Sequence, residues 1–274
     1  MAAATLTYVA SPNGAHLAVW RSGSGPPLVV VHGTTADHTR WARVAPLVEA
    51  RFTLYAMDRR GRGRSGDSAH YSIRREADDI AAVVRAAGKQ VALLGHSYGA
   101  LCSLEAALQL PDLRRLIAYE PPLPIGAGIA SRAVRDEIER LIREGDREGA
   151  LVLFFREVVR VPESELALLK AHPVWPARVA AAHTIVREAD AEENFGLDLG
   201  RFAELDVPTL LMIGGASPGY FREAAERFHA VIPTSKLFVM QGQQHIAMDT
   251  APELFSEAVI KFALSRADGP EVTA

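Results

Sequence analysis

The stretch VALLGHSYGALCSLEAAL, residues 91–108, is compatible with very few backbones. Its first residues form a short apolar run, suited to a strand buried on both faces. Its last nine are rich in Ala and Leu and read as a helix. Only Gly95, His96, Ser97, Tyr98 and Gly99 lie between them. A turn that sharp holds its middle residue in a strained conformation, and small residues two positions either side let neighbouring backbone pass closely. It also presents the Ser97 hydroxyl at the carboxyl edge of a sheet, where doubly wound folds place their sites.

The surrounding chain supplies the rest of such a sheet. TLTYVA and HLAVWR flank Ser11-Pro12-Asn13-Gly14, a hairpin signal. LVVVHG, FTLYAMD, LRRLIAYE, VPTLLMIGG and KLFVMQG read as further strands. Helices are expected between them: a short one over Trp41–Glu49, one over Ser72–Ala87 capped by Ser72, and others over Tyr98–Gln109, Phe221–Val231 and Pro252–Ser265. From Pro121 to about Asp206 strands give way to amphipathic helical runs such as SRAVRDEIERLIREGD. The parse is a doubly wound, mostly parallel α/β sheet in which residues 1–121 and 206–274 form a core domain and residues 122–205 an inserted helical cap. The tail RADGPEVTA is expected to fray.

Bulk composition fits a soluble globular protein: 49% hydrophobic and 23% charged among 274 residues, with a formal net charge of -3. That balance offers nucleic acid no basic surface. No segment approaches the ~18 uninterrupted apolar residues of a membrane span, and the start lacks a secretory signal pattern, so a cytoplasmic location is expected. The single cysteine, Cys102, excludes an intrachain disulfide and reads as a small buried helix residue.

Four motifs in order give the chain a resemblance to the α/β-hydrolase superfamily: VVVHGTTAD (29–37), DRRGRGRS (58–65), GHSYG (95–99) and GQQHIAM (242–248). The resemblance implies the α/β-hydrolase fold, a serine nucleophile at Ser97, and a general base at His245 in the histidine loop after the last strand. It also implies an oxyanion hole built from the backbone N–H groups of Thr34 and Tyr98. No cofactor and no metal are implied. Asp58 and its neighbouring arginines read as a Gly-rich loop pinned by local Asp–Arg pairing with some exposed charge. His32 and His96, close to the motifs, suit packing or polar contacts instead of the base role.

The family's usual triad acid, an Asp a few residues past the seventh strand, is missing: LLMIGGASPGYF places Ser217 there, and no carboxylate occurs between Asp206 and Glu223. Glu120 ends the apolar run LIAY and is followed by two prolines, so it sits at the tip of the neighbouring strand. A charge there is costly without a partner, and the order Ser97, Glu120, His245 is kept. Glu120 is therefore the candidate acid, with Asp198 and Asp206 as rivals. A carboxylic-ester, lactone or thioester hydrolase acting through an acyl-enzyme is the expected function. C–C bond hydrolysis of a ring-cleavage type and a small-molecule receptor are the alternatives. The partner expected is a small molecule with an apolar acyl or aromatic group, and Leu123, Phe154, Phe155, Trp175 and Phe195 are candidate pocket walls or cap core.

Overall fold

A computed structural model describes residues 4–12, 14–123 and 131–265. Asn13 of the expected hairpin turn, residues 124–130 of the expected 122–205 cap and the tail 266–274 lie outside the described residues. Eight strands form one sheet: β1 (Thr5–Ala10), β2 (His16–Gly23), β3 (Pro27–Val31), β4 (Thr53–Met57), β5 (Ala92–His96), β6 (Arg115–Tyr119), β7 (Thr209–Gly214) and β8 (Ser235–Met240). Their spatial order is β1-β2-β4-β3-β5-β6-β7-β8. β2 pairs antiparallel with β1 and with β4, and every other pairing is parallel.

The apolar runs follow from burial on both faces. Val29, Val31 and Leu93 point into one core layer with Ile80, Leu104 and Phe228, while Leu28, Val30 and Leu94 point into the other with Val48, Phe255 and Val259. Alternate residues of one strand thus serve opposite layers, and each buried Val or Leu side chain contributes roughly 1.5–3 kcal/mol. The first layer is built on α2 (Ile73–Ala87), α3 (Tyr98–Ala107) and α9 (Gly219–Val231); the second on α1 (Ala45–Val48) and, after α10 (Ala247–Thr250), α11 (Pro252–Leu264). The Ser72 hydroxyl caps α2 by accepting from the Arg75 N–H at 3.2 Å. The helix expected over Trp41–Glu49 is instead a 3-10 turn, His38–Trp41, followed by the one-turn α1. Pro46 lies in the first turn of α1, where its missing N–H costs nothing, so a new helix starts there.

Between β6 and β7 no strand occurs among the described residues. The chain forms α4 (Arg132–Arg143), α5 (Arg147–Leu153), α6 (Glu163–Ala171), α7 (Trp175–Ala181) and α8 (Thr184–Glu193). They enclose an apolar cluster of their own, around Ile138, Leu151, Phe155, Leu166, Trp175 and Ile185. α5 runs on into a π-helical turn over Phe154–Val159, a widening often found beside functional sites. Among the described residues no helix is long and apolar enough to cross a membrane.

Candidate active site

Parallel pairing aligns His96 with Tyr119 on β5 and β6, so the next residues, Ser97 and Glu120, emerge side by side from the sheet edge. The Ser97 N–H donates to the Tyr119 carbonyl at 2.8 Å, and the Glu120 N–H donates to the Met212 carbonyl at 3.0 Å. Both residues take a positive φ, 55° for Ser97 and 48° for Glu120. For residues other than glycine such conformations cost about 1–3 kcal/mol each and persist where the surroundings impose them. The flanking glycines are obligatory: a Cβ on Gly99 would stand 2.3 Å from the His32 carbonyl oxygen, and one on Gly95 2.5 Å from the Ala100 Cα.

Glu120 is fully buried. Its Oε1 accepts from the Gly214 N–H at 2.7 Å and its Oε2 lies 2.6 Å from Nδ1 of His245. With the carboxylate ionised, Nδ1 carries the proton and donates it, which leaves Nε2 of His245 as the free, basic nitrogen. The imidazole is held on two more sides. Phe221 stacks on it at 4.5 Å with the planes 17° apart, and His96 packs at 4.7 Å. His96 Nε2–H donates to the His245 carbonyl at 3.0 Å, and the Tyr119 hydroxyl donates to the Gln244 carbonyl. Burial, then His245, keeps the His96 imidazole well below its ordinary pKa. His32 Nε2 accepts from the Arg59 N–H at 3.0 Å; burial and the Arg59 guanidinium lower it to about 3, so it too is neutral.

Ser97 stands between two cavities. One of about 490 Å³ is walled by Phe154, Val158, Ile185, Val186, Tyr220 and Phe221, with the acids Glu188 and Glu192 also bordering it. The other, of about 20 Å³, is bordered by Ser97, His245, Thr34, Phe155, Arg40 and Arg178. Thr34 lines both and Tyr98 the larger. Trp175 belongs to the apolar cluster of the inserted helices, whereas Leu123 and Phe195 pack on the sheet's first core layer. Of the five aromatic or apolar wall candidates, only Phe154 and Phe155 reach a cavity beside Ser97.

Two carboxylates weighed as rivals lie elsewhere. Asp198 accepts from the Gly200 N–H at 2.9 Å, capping a short turn, and exposed Asp206 precedes the amino end of β7, opposite Gly214. The Ser217 hydroxyl is buried without a hydrogen-bond partner, and a Cβ on Gly214 would meet it at 2.6 Å. Serine therefore fills the space beside the backbone that holds Glu120.

The arginine loop departs from expectation. Arg59, Arg60 and Arg62 are buried, and their partners are distant in sequence: Arg59 and Arg62 bridge Glu76 of α2 and Glu188 of α8, and Arg60 pairs with Asp79. Asp58 instead accepts from the His38 and Arg64 N–H groups and from Trp20 Nε1. Asp37, His38 and Asp58 bring a ligand atom each within 4.8 Å of one another, but Asp58 is already engaged by these donors, and the group serves to pin the loop. The sequence carried no signal for the stacking of Phe221 on His245 or for the approach of Arg178. The positive φ of Glu120 had no signal in the sequence, since a following proline favours extended backbone at the residue before it.

The parallel sheet, the strand–turn–helix serine and the histidine loop together define an α/β-hydrolase fold. Residues 28–258 match the Alpha/beta hydrolase family, and the chain belongs to that family. An alpha/beta hydrolase from Sphaerobacter thermophilus superposes with a TM-score of 0.81 at 34% identity, covering 93% of this chain and 99% of that one. A 2-(acetamidomethylene)succinate hydrolase of Mesorhizobium japonicum is 26% identical over 256 residues, 90% of this chain and 91% of the relative. A pimeloyl-[acyl-carrier protein] methyl ester esterase of Edwardsiella ictaluri is 26% identical over 251 residues, 87% and 93% respectively.

Proposed function

We propose that this chain is a serine hydrolase that cleaves a carboxylic ester, or a related lactone or thioester, through an acyl-enzyme. The observation that carries the reading is the pair Glu120 Oε2 to His245 Nδ1 at 2.6 Å, completed by the Gly214 N–H on the other carboxylate oxygen. A carboxylate so placed fixes the tautomer in which Nε2 takes the proton of Ser97 as the hydroxyl attacks the carbonyl carbon. The imidazolium formed then pairs with Glu120. The N–H groups of Thr34 and Tyr98 stabilise the oxyanion of the tetrahedral intermediate. Collapse expels the alcohol, which takes the proton from His245, and water activated by the same nitrogen releases the acid. Residues 122–205 act as a cap, closing the 490 Å³ cavity over the acyl or alcohol group. The ester-cleaving relative from Edwardsiella supports the ester reading.

The test is labelling with a serine-directed fluorophosphonate followed by a panel of p-nitrophenyl esters. Stoichiometric modification of Ser97, with ester turnover lost in Ser97→Ala, is the expected result. An unlabelled native protein overturns the reading. Turnover of a vinylogous diketone without any ester turnover moves the chemistry to C–C bond cleavage.

A further inference from the structure

The Glu120 carboxylate fixes one atom of the His245 imidazole, Nδ1. A single hydrogen bond leaves the ring free to tilt about that point, because the second side-chain torsion of histidine is broad. Aiming Nε2 at Ser97 needs a flat surface as well. Phe221 supplies it: its ring lies 17° from parallel to the imidazole at a centroid distance of 4.5 Å, and the residue is buried. An aromatic face also attracts the positive charge that His245 gains as Ser97 attacks.

Its own helix holds that face weakly. Phe221 lies in the first turn of α9, which follows Pro218 and has no side-chain cap among the described residues. The residue before it does the fastening. Tyr220 packs its ring against Phe221 at 4.3 Å, and its hydroxyl donates to the Val158 carbonyl at 2.8 Å, with the Val159 carbonyl at 3.1 Å. Those carbonyls end the π-helical turn Phe154–Val159, where a helix has no donors of its own to offer them. Burial, then the Glu120 charge, push the Tyr220 hydroxyl above its ordinary pKa, so it keeps the proton it donates. The bond thus crosses from the inserted helices to the core. On the insertion's side the same turn carries Phe154 and Val159, which border both cavities beside Ser97. On the core side, one residue further, is the ring stacked on His245.

We propose that Tyr220 is a positioning residue for His245: it clips the π-helical turn to the start of α9 and so holds Phe221 flat on the imidazole, which makes the seating of the inserted helices a condition for a correctly aimed base. The inference rests on the serine-hydrolase reading above and adds to it a link between cap and base. Small misalignments of a reacting group are expensive, so a clip outside the triad can control turnover.

The test is a double-mutant cycle of Tyr220→Phe and Phe221→Leu, read as kcat and KM on p-nitrophenyl acetate and p-nitrophenyl hexanoate. Tyr220→Phe keeps the ring and loses the clip. Its kcat should fall by about 3- to 10-fold, the worth of one hydrogen bond, on both esters alike and with little change in KM. Phe221→Leu should cost about tenfold in kcat, and Phe221→Tyr, which keeps a flat face, should recover most of it. In the Phe221→Leu background Tyr220→Phe should cost nothing further, because the residue it acts through is gone. Losses that multiply across the two sites, or a Tyr220→Phe loss confined to KM or to the hexanoate, overturn the link and leave Tyr220 as pocket wall. If Phe221→Leu does not fold, Phe221→Met closes the same cycle. Fluorophosphonate labelling of native Ser97 separates the failures: a labelled enzyme with multiplying losses breaks this inference alone, and an unlabelled one breaks the serine-hydrolase reading beneath it.

Discussion

The Arg59–Arg62–Glu76–Glu188 cluster and the Glu120–His245 pair are both buried, but they balance charge differently. In the cluster two guanidiniums bridge two carboxylates, so opposite charges already match. In the pair one carboxylate meets a single imidazole and a backbone N–H, with no guanidinium beside it. Balance arrives there only when His245 gains a proton, which in the proposed reaction happens as the tetrahedral intermediate forms. Charge matched at rest stabilises the resting fold. Charge left to be matched later stabilises the transition state more than the ground state, the condition for catalysis. Location agrees with that division. The cluster ties the 58–65 loop to α2 and α8, whereas the pair spans the open ends of β6 and β8.

The sharpest way to break this contrast is Glu120→Gln. It keeps the shape and one acceptor but removes the charge that the imidazolium needs, and turnover should fall by about four orders of magnitude. The melting temperature should stay within a few degrees of native. A variant near native activity would sink the assignment. Ser217 sharpens the same point, because its unpartnered hydroxyl lies beside Gly214, the donor to Glu120. Ser217→Asp in the Glu120→Gln background should restore activity by about tenfold or more over the single variant, whereas alone it crowds two buried carboxylates together and should destabilise the protein. Steady-state kinetics and thermal melts on the three proteins decide it.

On the other side of the comparison, Glu76→Gln strips a matched charge from Arg59 and Arg62. Breaking a buried ion pair from one side costs about 3–5 kcal/mol. Melting should drop by roughly 10 °C, with kcat at low temperature unchanged within a few-fold. Loss of kcat at native stability would mean the cluster belongs to the chemistry after all.

The same residue sets an acid response. Burial pushes the Glu76 carboxyl up, but the guanidiniums of Arg59 and Arg62 overcome it and hold it at about 2, against an ordinary 4.5. A carboxyl lowered in the folded state binds fewer protons than in the unfolded chain, so its stabilisation is full above the unfolded pKa and is lost as pH falls toward the folded one. On the order of 3 kcal/mol should disappear between about pH 5 and pH 2. Urea midpoints measured down that range should fall more steeply for the native protein than for Glu76→Gln. Parallel slopes would contradict the matched-charge account.

How far these features were legible depends on whether a local pattern encodes them. The Ser97 turn was legible because strand, glycines and helix occur within one stretch, and its demands are steric and local. The period-two burial of β3 and β5 was legible for the same reason, as was the Ser72 cap. Glu120 became a candidate only through an absence elsewhere, at Ser217, together with its place at a strand tip. Arg59 and Arg62 were read as locally paired because Asp58 lies beside them in sequence, but their partners are 14 to 129 residues away. Arg178 gave no signal at all, since a lone arginine in an amphipathic helix is ordinarily solvated. Pairings made across an insertion cannot be read from spacing along the chain.

The smallest expected effect tests whether the two charge systems are independent. Ser72 accepts from the Arg75 N–H and starts α2, and Glu76 lies in the first turn of that helix. Ser72→Ala leaves that N–H without its acceptor and should cost about 1 kcal/mol, while Ser72→Gly should cost only a few tenths. A frayed first turn loosens the hold of Glu76 on Arg59 and Arg62, so the loss belongs wholly to the matched-charge side. Denaturant midpoints should shift accordingly, and kcat on a p-nitrophenyl ester should not move, because Glu120 and His245 are placed by β6, β7 and the loop after β8. A kcat that fell together with the midpoint in Ser72→Ala would show that the two systems share a mechanical link and that their division into resting and deferred compensation is wrong.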